Sequence, residues 1–180
     1  NSGTVAVRPF STPLSPGQSF LVALRLNSLD NGNNTNRFAL EDADGNILFS
    51  YWHTGGDNLN GWYSDGTVAV GVATNFQYAY QQFVTYKFTL NSATDYTFTD
   101  LGTGASFTGT IANTPIAQAS FIRQNAGTAP GNGQDYQFDQ LTIISAAPPS
   151  FQAVSPAPNA LSVVTNATIT NSTGSSGTVL

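Results

Sequence analysis

The stretch FALEDADGNILFSYW, residues 38–52, contains two apolar segments separated by the polar tetrapeptide ADGN. The flanking segments are typical of strands, near residues 36–42 and 46–53, because apolar side chains recur in them with a period close to two. The tetrapeptide supplies turn chemistry, and Gly45 can adopt the positive φ that a short hairpin turn requires. The stretch therefore predicts a β-hairpin.

The same period of two extends outward along most of the chain. Phe20, Val22, Leu24 and Leu26 alternate with more polar positions, and a similar alternation runs through residues 84–90. No window shows helical spacing, and 17 glycines and nine prolines interrupt the chain too often for long helices. Strands are predicted near residues 4–10, 18–27, 36–42, 46–53, 67–73, 83–90, 94–100, 105–111, 118–124 and 136–144, with a second hairpin at 101–105. About ten short strands predict an all-β fold, a two-sheet antiparallel β-sandwich.

A change of composition after residue 145 divides the chain. Residues 1–145 carry the strand pattern, and residues 146–149 (AAPP) are predicted to be a linker, because consecutive prolines continue neither a helix nor a sheet. Residues 150–180 are too few for the ~100 residues of an immunoglobulin-like sandwich. This tail is therefore expected to be a partial module or a donated strand.

The composition excludes some classes of function. Charged residues make up only 8% of the chain, about a third of the ~25% usual in soluble domains, and the net charge is −5 with five scattered cations. Nucleic-acid binding is disfavoured because no basic patch can form. No apolar run approaches the ~20 residues that span a bilayer, so membrane insertion is not expected. A polar, uncharged surface without Cys or Met favours an extracellular or cell-surface location in a secreted bacterial protein.

Four segments resemble one known fold family. They are RPFSTPLSPGQSFLVALRL (8–26), FALEDADGNILFSYW (38–52), YKFTL (86–90) and YQFDQLTII (136–144), and they are similar to core strands of the laminin-G/concanavalin-A-like jelly-roll superfamily of secreted bacterial proteins. That resemblance implies a concanavalin-A-like sandwich, whose members include sugar-binding modules, adhesion modules and some glycosidases. The tail segment FQAVSPAPNALSVVTNATIT (151–170) resembles the opening strands of bacterial immunoglobulin-like modules.

The segment FSYWHTGGDNLNGWYSDG, residues 49–66, holds both tryptophans and the only histidine. Tryptophan and tyrosine rings stack on the C–H faces of sugars, while Asn and Asp bind hydroxyls, so this segment is the leading candidate for a lectin-like site. Strand alternation places Tyr51 and His53 on one face and Trp52 on the other, with Trp62 and Tyr63 similarly opposed. The competing interpretation is that the rings only fill the core. The candidate ligand-binding residues are Tyr51, Trp52, His53, Asp57, Asn58, Asn60, Trp62, Tyr63, Tyr78 and Tyr80.

A structural calcium ion is the expected cofactor if any is bound, because hard oxygen ligands are abundant and N or S ligands for zinc are not. The competing interpretation is that Asx-rich turns satisfy their own backbone. The candidate metal ligands are Asp30, Asn33, Asp42, Asp44, Asp135 and Asp139.

Catalysis is disfavoured because the usual residue sets are missing. Glycoside hydrolysis needs two facing carboxylates, but Glu41 is the only glutamate, and neighbours such as Glu41 and Asp42 point to opposite faces of a strand. His53 lacks a nucleophile-elbow context. The sequence thus predicts a non-catalytic extracellular module that binds polysaccharide in a carbohydrate-binding or adhesion role. The alternative is a structural subunit of a cell-surface fibre or adhesin, which links copies of itself by donating a strand from residues 161–170.

Overall fold

The computed structural model describes residues 3–26, 35–54, 60–66, 71–77, 79, 81–124, 136–145, 167–170 and 176–179. The chain divides into two compact units, residues 1–145 and 146–180. The described residues contain strands and no helix, so they include no helix that could cross a membrane.

Eleven strands build the first unit. They are β1 (Gly3–Leu14), β2 (Gln18–Leu26), β3 (Thr35–Glu41), β4 (Ile47–Thr54), β5 (Trp62–Ser64), β6 (Val72–Ala73), β7 (Phe83–Leu90), β8 (Asp95–Asp100), β9 (Ser106–Thr110), β10 (Ile116–Gln124) and β11 (Tyr136–Ser145). A six-stranded sheet has the order β1-β10-β3-β4-β5-β6, and a five-stranded sheet has the order β11-β2-β7-β8-β9. All neighbouring pairs in both sheets are antiparallel. The predicted all-β, two-sheet antiparallel sandwich is confirmed.

Aromatic rings from both sheets fill the core. The ring of Phe49, on β4 of the six-stranded sheet, lies 5.0 Å from that of Phe88, 4.9 Å from that of Phe98 and 5.1 Å from that of Tyr96, all on the five-stranded sheet. Tilted and edge-on ring pairs at these separations contribute beyond the area that they bury. The alternate positions of each strand supply these rings, which is why the period of two was visible in the sequence.

The β3–β4 hairpin has the predicted turn. Gly45 adopts φ +84°, and the Asp42 carboxylate accepts hydrogen bonds from the backbone N–H groups of Asp44 (3.0 Å) and Asn46 (2.8 Å). The β8–β9 hairpin at residues 101–105 is also present, with Gly104 at φ +77°. Both hairpin predictions are confirmed. The structure adds β5, a three-residue strand that brings Trp62 beside β4.

The edge strands of the two sheets, β1 and β11, can be related to each other through β2. β1 ends at Leu14, a short turn follows, and β2 begins at Gln18, which pairs with Ser145 at the end of β11. Gly3 and Ser145 therefore lie at opposite ends of the strands.

The second unit contains one described hairpin, in which β12 (Ala167–Thr170) pairs with β13 (Ser176–Val179). Part of the segment predicted as a donated strand thus pairs within its own chain. Donation to a neighbouring copy and the immunoglobulin-like character of residues 150–180 stay predictions.

Candidate functional site

The outer face of the six-stranded sheet carries both tryptophans side by side. Trp52 on β4 is the register partner of Trp62 on β5, and Arg37 on β3 is the partner of Trp52 on its other side. Directly opposed residues of antiparallel strands have Cβ atoms about 5 Å apart. Both indoles are partly exposed. Arg37, Trp52 and Trp62 therefore form a continuous row, here called the tryptophan row.

Gly71, which immediately precedes β6, fixes where the Trp52 ring lies. A Cβ added at Gly71 would collide with Cζ2 and Cη2 of that ring. The indole therefore extends across β5 as far as the backbone of Gly71. A partly exposed indole held at a fixed place on the sheet can stack on the apolar face of a sugar ring.

Arg37 supplies the strongest hydrogen-bond donors beside the tryptophans. Its guanidinium is half-buried, and its Nε is buried without a hydrogen-bond partner. Burial lowers the pKa of Arg37 below its usual value, and attraction from Glu41 opposes that change. Because the pKa of an arginine side chain starts far above neutral pH, Arg37 stays cationic. Its N–H groups can therefore donate hydrogen bonds to a hydroxyl oxygen.

A second polar row lies further along the same strands. Glu41 on β3 accepts a hydrogen bond from Nε2 of Gln118 (2.9 Å) and another from the hydroxyl of Ser120, both on β10. Between Glu41 and the tryptophan row the facing positions are small and buried: Ser120, Ala39 and Ser50 are register partners. The outer face therefore has the tryptophan row and this polar row on either side of a floor of small side chains.

Tyr51 and His53 face the interior instead. Tyr51 is 1% exposed and His53 is 3% exposed, and the Tyr51 hydroxyl lies 2.9 Å from Nε2 of His53 and donates to the Tyr86 hydroxyl at 3.4 Å. Burial is the main cause that raises the pKa of Tyr51 well above its usual value. This corrects the assignment of Tyr51 and His53 to a surface sugar site, because strand alternation turns both side chains away from the face that holds Trp52.

The other predicted ligand-binding residues have different positions. Tyr63 packs against the core, with its ring 4.2 Å from that of Phe107, and Asn60 is partly exposed just before β5. Asp57, Asn58, Tyr78 and Tyr80 lie outside the described residues.

The predicted calcium ligands that the structure describes do not form a cluster. Asp42 and Asp44 belong to the β3–β4 turn, and both oxygens of Asp42 accept hydrogen bonds within that turn, including one from Asn46 Nδ2 at 2.8 Å. Asp139 accepts a hydrogen bond from the backbone N–H of Gln140. Within the described parts of the chain, no group of three His, Asp or Glu could hold a metal ion. Asp30, Asn33 and Asp135 lie outside those parts, so a structural calcium stays a prediction.

The sequence interpretation missed Arg37, Glu41 and Gln118. The segment NRFALE (36–41) did contain a signal, because Arg37 and Glu41 alternate with Phe38 and Leu40 and must face away from the core. Gln118 could not be found in this way, because its position beside Glu41 depends on the pairing of β10 with β3, 77 residues apart.

Comparison with known proteins shows the fold. No protein-family model and no curated protein sequence matches this chain. A double mutant of congerin II has a similar structure, with a TM-score of 0.56, 10% sequence identity, and coverage of 78% of this chain and 100% of that chain. A tetrameric galectin from the ball sponge Cinachyrella sp. has a TM-score of 0.55 and 12% sequence identity, with coverage of 80% of this chain and 100% of that chain. Toad ovary galectin in complex with N-acetylgalactose has a TM-score of 0.52 and 11% sequence identity, with coverage of 77% of this chain and 97% of that chain. The chain therefore has a galectin-like jelly-roll fold.

Proposed function

We propose that residues 1–145 form a non-catalytic, lectin-like module that binds carbohydrate on the outer face of the six-stranded sheet. The observation that carries the proposal is the tryptophan row, in which two partly exposed indoles and the Arg37 guanidinium are register neighbours on three adjacent strands. Sugar sites in proteins are aromatic platforms with a few convergent polar groups. This row combines both components on strands of a rigid sheet.

The chemistry of each side chain in the tryptophan row determines which part of a sugar it contacts. Trp52 and Trp62 stack on the C–H faces of sugar rings, which are apolar, and Arg37 donates to a ring hydroxyl. Glu41 lies four residues from Arg37 along β3, a Cα separation of about 13 Å at 3.3 Å per residue, and Gln118 is its register partner on β10. They contact a ligand that extends beyond a single sugar unit.

Two similar structures suggest which sugars to test first. The toad ovary galectin was determined in complexes with thio-digalactose and with N-acetylgalactose. Galactose-type sugars are therefore the first ligands in a panel that also contains plant and microbial polysaccharides. A surface with few charges, in a chain that has 8% charged residues, supports work beside neutral polysaccharide outside the cell, in binding or adhesion.

The chain provides its own optical probe for this site. Its two tryptophans both lie in the tryptophan row, so tryptophan emission reports events at that face. Titration with thio-digalactose, galactan and the wider panel is expected to give a saturable change with at least one sugar. Trp52→Ala and Trp62→Ala are each expected to weaken the binding about tenfold or more, equivalent to about 1.4 kcal/mol.

A matched control is Ile144→Ala, which removes an exposed apolar side chain from β11 of the other sheet. Its titration is expected to match that of the wild type. Failure of every sugar to change the emission, together with no heat in calorimetry, would overturn the proposal. So would unchanged affinity in both tryptophan variants, measured by calorimetry.

A further inference from the structure

The outer face of the five-stranded sheet contains a cavity of about 680 Å³. It lies over β2 and β7 and reaches the β8–β9 turn and β11. Its lining includes Leu21 of β2 and Thr85 of β7, which lie next to the core residues Phe20, Val22 and Tyr86 on their strands, together with Phe83 and Val84. The cavity therefore opens on the side of the sandwich opposite to the tryptophan row.

Two exposed apolar side chains form part of the lining. Phe83 is 49% exposed and Leu101 is 43% exposed, and both line this one cavity. The Arg25 guanidinium carbon lies 6.0 Å from the centroid of the Phe83 ring. Arg25 Nε donates to the Gln81 carbonyl (3.0 Å) and Nη1 donates to Gln137 (3.2 Å), so the cation is held by protein groups.

The polar part of the lining is neutral. Gln82, Gln140, Thr85 and Thr103 contribute carboxamide and hydroxyl groups. Among the residues that the structure describes, Asp100 is the one ionisable residue that lines the cavity; it is 2% exposed, and its Oδ1 accepts hydrogen bonds from the backbone N–H groups of Gly102 (2.8 Å) and Thr103 (3.3 Å). The cavity thus presents neutral donors and acceptors around an exposed ring.

Two residues with a strained backbone conformation lie in or beside the lining of this cavity. Gln81 at φ +55° and Gln140 at φ +57° are the two non-glycine residues with positive φ in the described part of the chain. Gln140 lines the cavity and Gln81 immediately precedes Gln82, which also lines it. Gln140 also sits where the β11–β2 pairing is interrupted between Asp139 and Thr142. Non-glycine residues held at positive φ are strained, and such strain concentrates at functional sites, while bulges re-aim side chains.

We propose that this cavity is a second saccharide-binding site, which takes a neutral, hydroxyl-rich ligand with one apolar face. The exposed Phe83 ring stacks on that face, and the carboxamides of Gln82 and Gln140 bind hydroxyls. The described lining disfavours phosphorylated and sulfated ligands, because it contains no cation and its one carboxylate, Asp100, is 2% exposed. With sites on the outer faces of opposing sheets, one module bridges two polysaccharide chains and gains avidity.

The test uses the full chain with Trp52→Ala and Trp62→Ala combined, which removes the stacking rings of the first face. ¹⁵N-labelled protein is titrated with neutral oligosaccharides prepared from galactan, mannan, xyloglucan and β-glucan. We expect amide shifts centred on Phe83, Thr85, Leu101 and Gln140 with at least one of these probes. Adding Phe83→Ala or Gln140→Gly is expected to abolish the shifts, whereas Thr99→Ala, on the same face but outside the cavity, preserves them.

The outcomes separate this proposal from the one for the tryptophan row. Tryptophan emission of the wild type reports the first face, and the amide shifts report the cavity, so either site can fail alone. Absence of shifts at the cavity with all four probes overturns the second site. Shifts that survive both Phe83→Ala and Gln140→Gly, in variants with wild-type urea midpoints, also overturn it.

Discussion

At the scale of single residues, Gly71 fixes where the Trp52 ring lies on the proposed binding face. The Trp52 indole occupies the space where any side chain at position 71 would begin. Gly71→Ala therefore has to displace that ring from the sheet surface, while the core is untouched because Trp52 lies on the outer face.

We expect Gly71→Ala to fold normally and to weaken carbohydrate binding by about tenfold, since the stacking platform is tilted. Calorimetry with the best sugar of the panel measures the affinity, and urea unfolding measures the stability. Gly66→Ala is a less suitable control because Gly66 adopts φ +81°, so Ile144→Ala again serves. Binding equal to that of the wild type would show that the position of the Trp52 ring does not matter.

The Tyr51 hydroxyl holds a polar cluster inside the core. It joins Nε2 of His53 and the Tyr86 hydroxyl, and all three side chains are buried. Tyr51→Phe leaves these partners without it, and unsatisfied buried polar groups cost about 1–3 kcal/mol. We expect that loss in the free energy of unfolding by urea.

Tyr63→Phe is the matched control for Tyr51→Phe. Tyr63 is partly exposed, and its ring packs on Phe107 without need of the hydroxyl. Its free energy of unfolding should stay within about 0.5 kcal/mol of the wild type. Equal losses in the two variants would contradict the role assigned to the buried cluster.

At the scale of elements, the β3–β4 hairpin depends on the ionised form of Asp42. Hydrogen bonds from the Asn46 side chain, and then from backbone N–H groups, hold the pKa of Asp42 below its ordinary value of 3.8. A lowered pKa means that the stabilisation is complete above pH 3.8 and is lost as the pH falls through the folded-state pKa.

We therefore expect the wild type to lose stability between about pH 4 and pH 2 more steeply than Asp42→Ala. Urea midpoints measured across that range provide the comparison. Asp44→Ala is the control, because the Asp44 side chain accepts none of the hydrogen bonds that hold this turn. Parallel pH profiles for the wild type and Asp42→Ala would refute the expectation.

The elements also show how far the sequence could lead. The hairpin with Gly45 and the opposition of Tyr51 to Trp52 followed from local chemistry and the period of two, and the structure agrees with both. The pairing of Trp52 with Trp62 did not follow, because β5 is only three residues long and its register is not encoded by periodicity. The cavity around Phe83 was also missed, since it is lined by β2, β7 and β11, which are distant in the chain.

At the scale of the whole molecule, buried tyrosine hydroxyls make the stability of the fold depend on pH in the alkaline range. Burial raises the pKa of Tyr51, Tyr86, Tyr96 and Tyr136 above the ordinary value of 10, and for Tyr96 the hydrogen bond to Asp65 at 2.9 Å adds to it. A raised pKa on these acids means that the folded state favours the neutral phenol. That stabilisation is complete below pH 10 and is lost as the pH rises toward the folded-state values.

We expect the phenolate absorbance of these four tyrosines to appear together with the loss of the β-sheet circular dichroism signal, above pH 10. Absorbance and circular dichroism recorded on one sample during a titration with base test this. Phenolate formation by all seven tyrosines near pH 10, with the sheet signal intact, would contradict the burial of these hydroxyls.

The edge strands β1 and β11 run in the same direction, because each runs opposite to β2, and this has a mechanical consequence. Gly3 and Ser145 lie at opposite ends of the strands, and each belongs to a strand at the edge of a different sheet. Tension applied between these two residues pulls each strand along its own length, so the hydrogen bonds of its ladder share the force instead of opening one after another. The sandwich is thus arranged in shear, the geometry that best resists stretching when a tethered ligand is dragged.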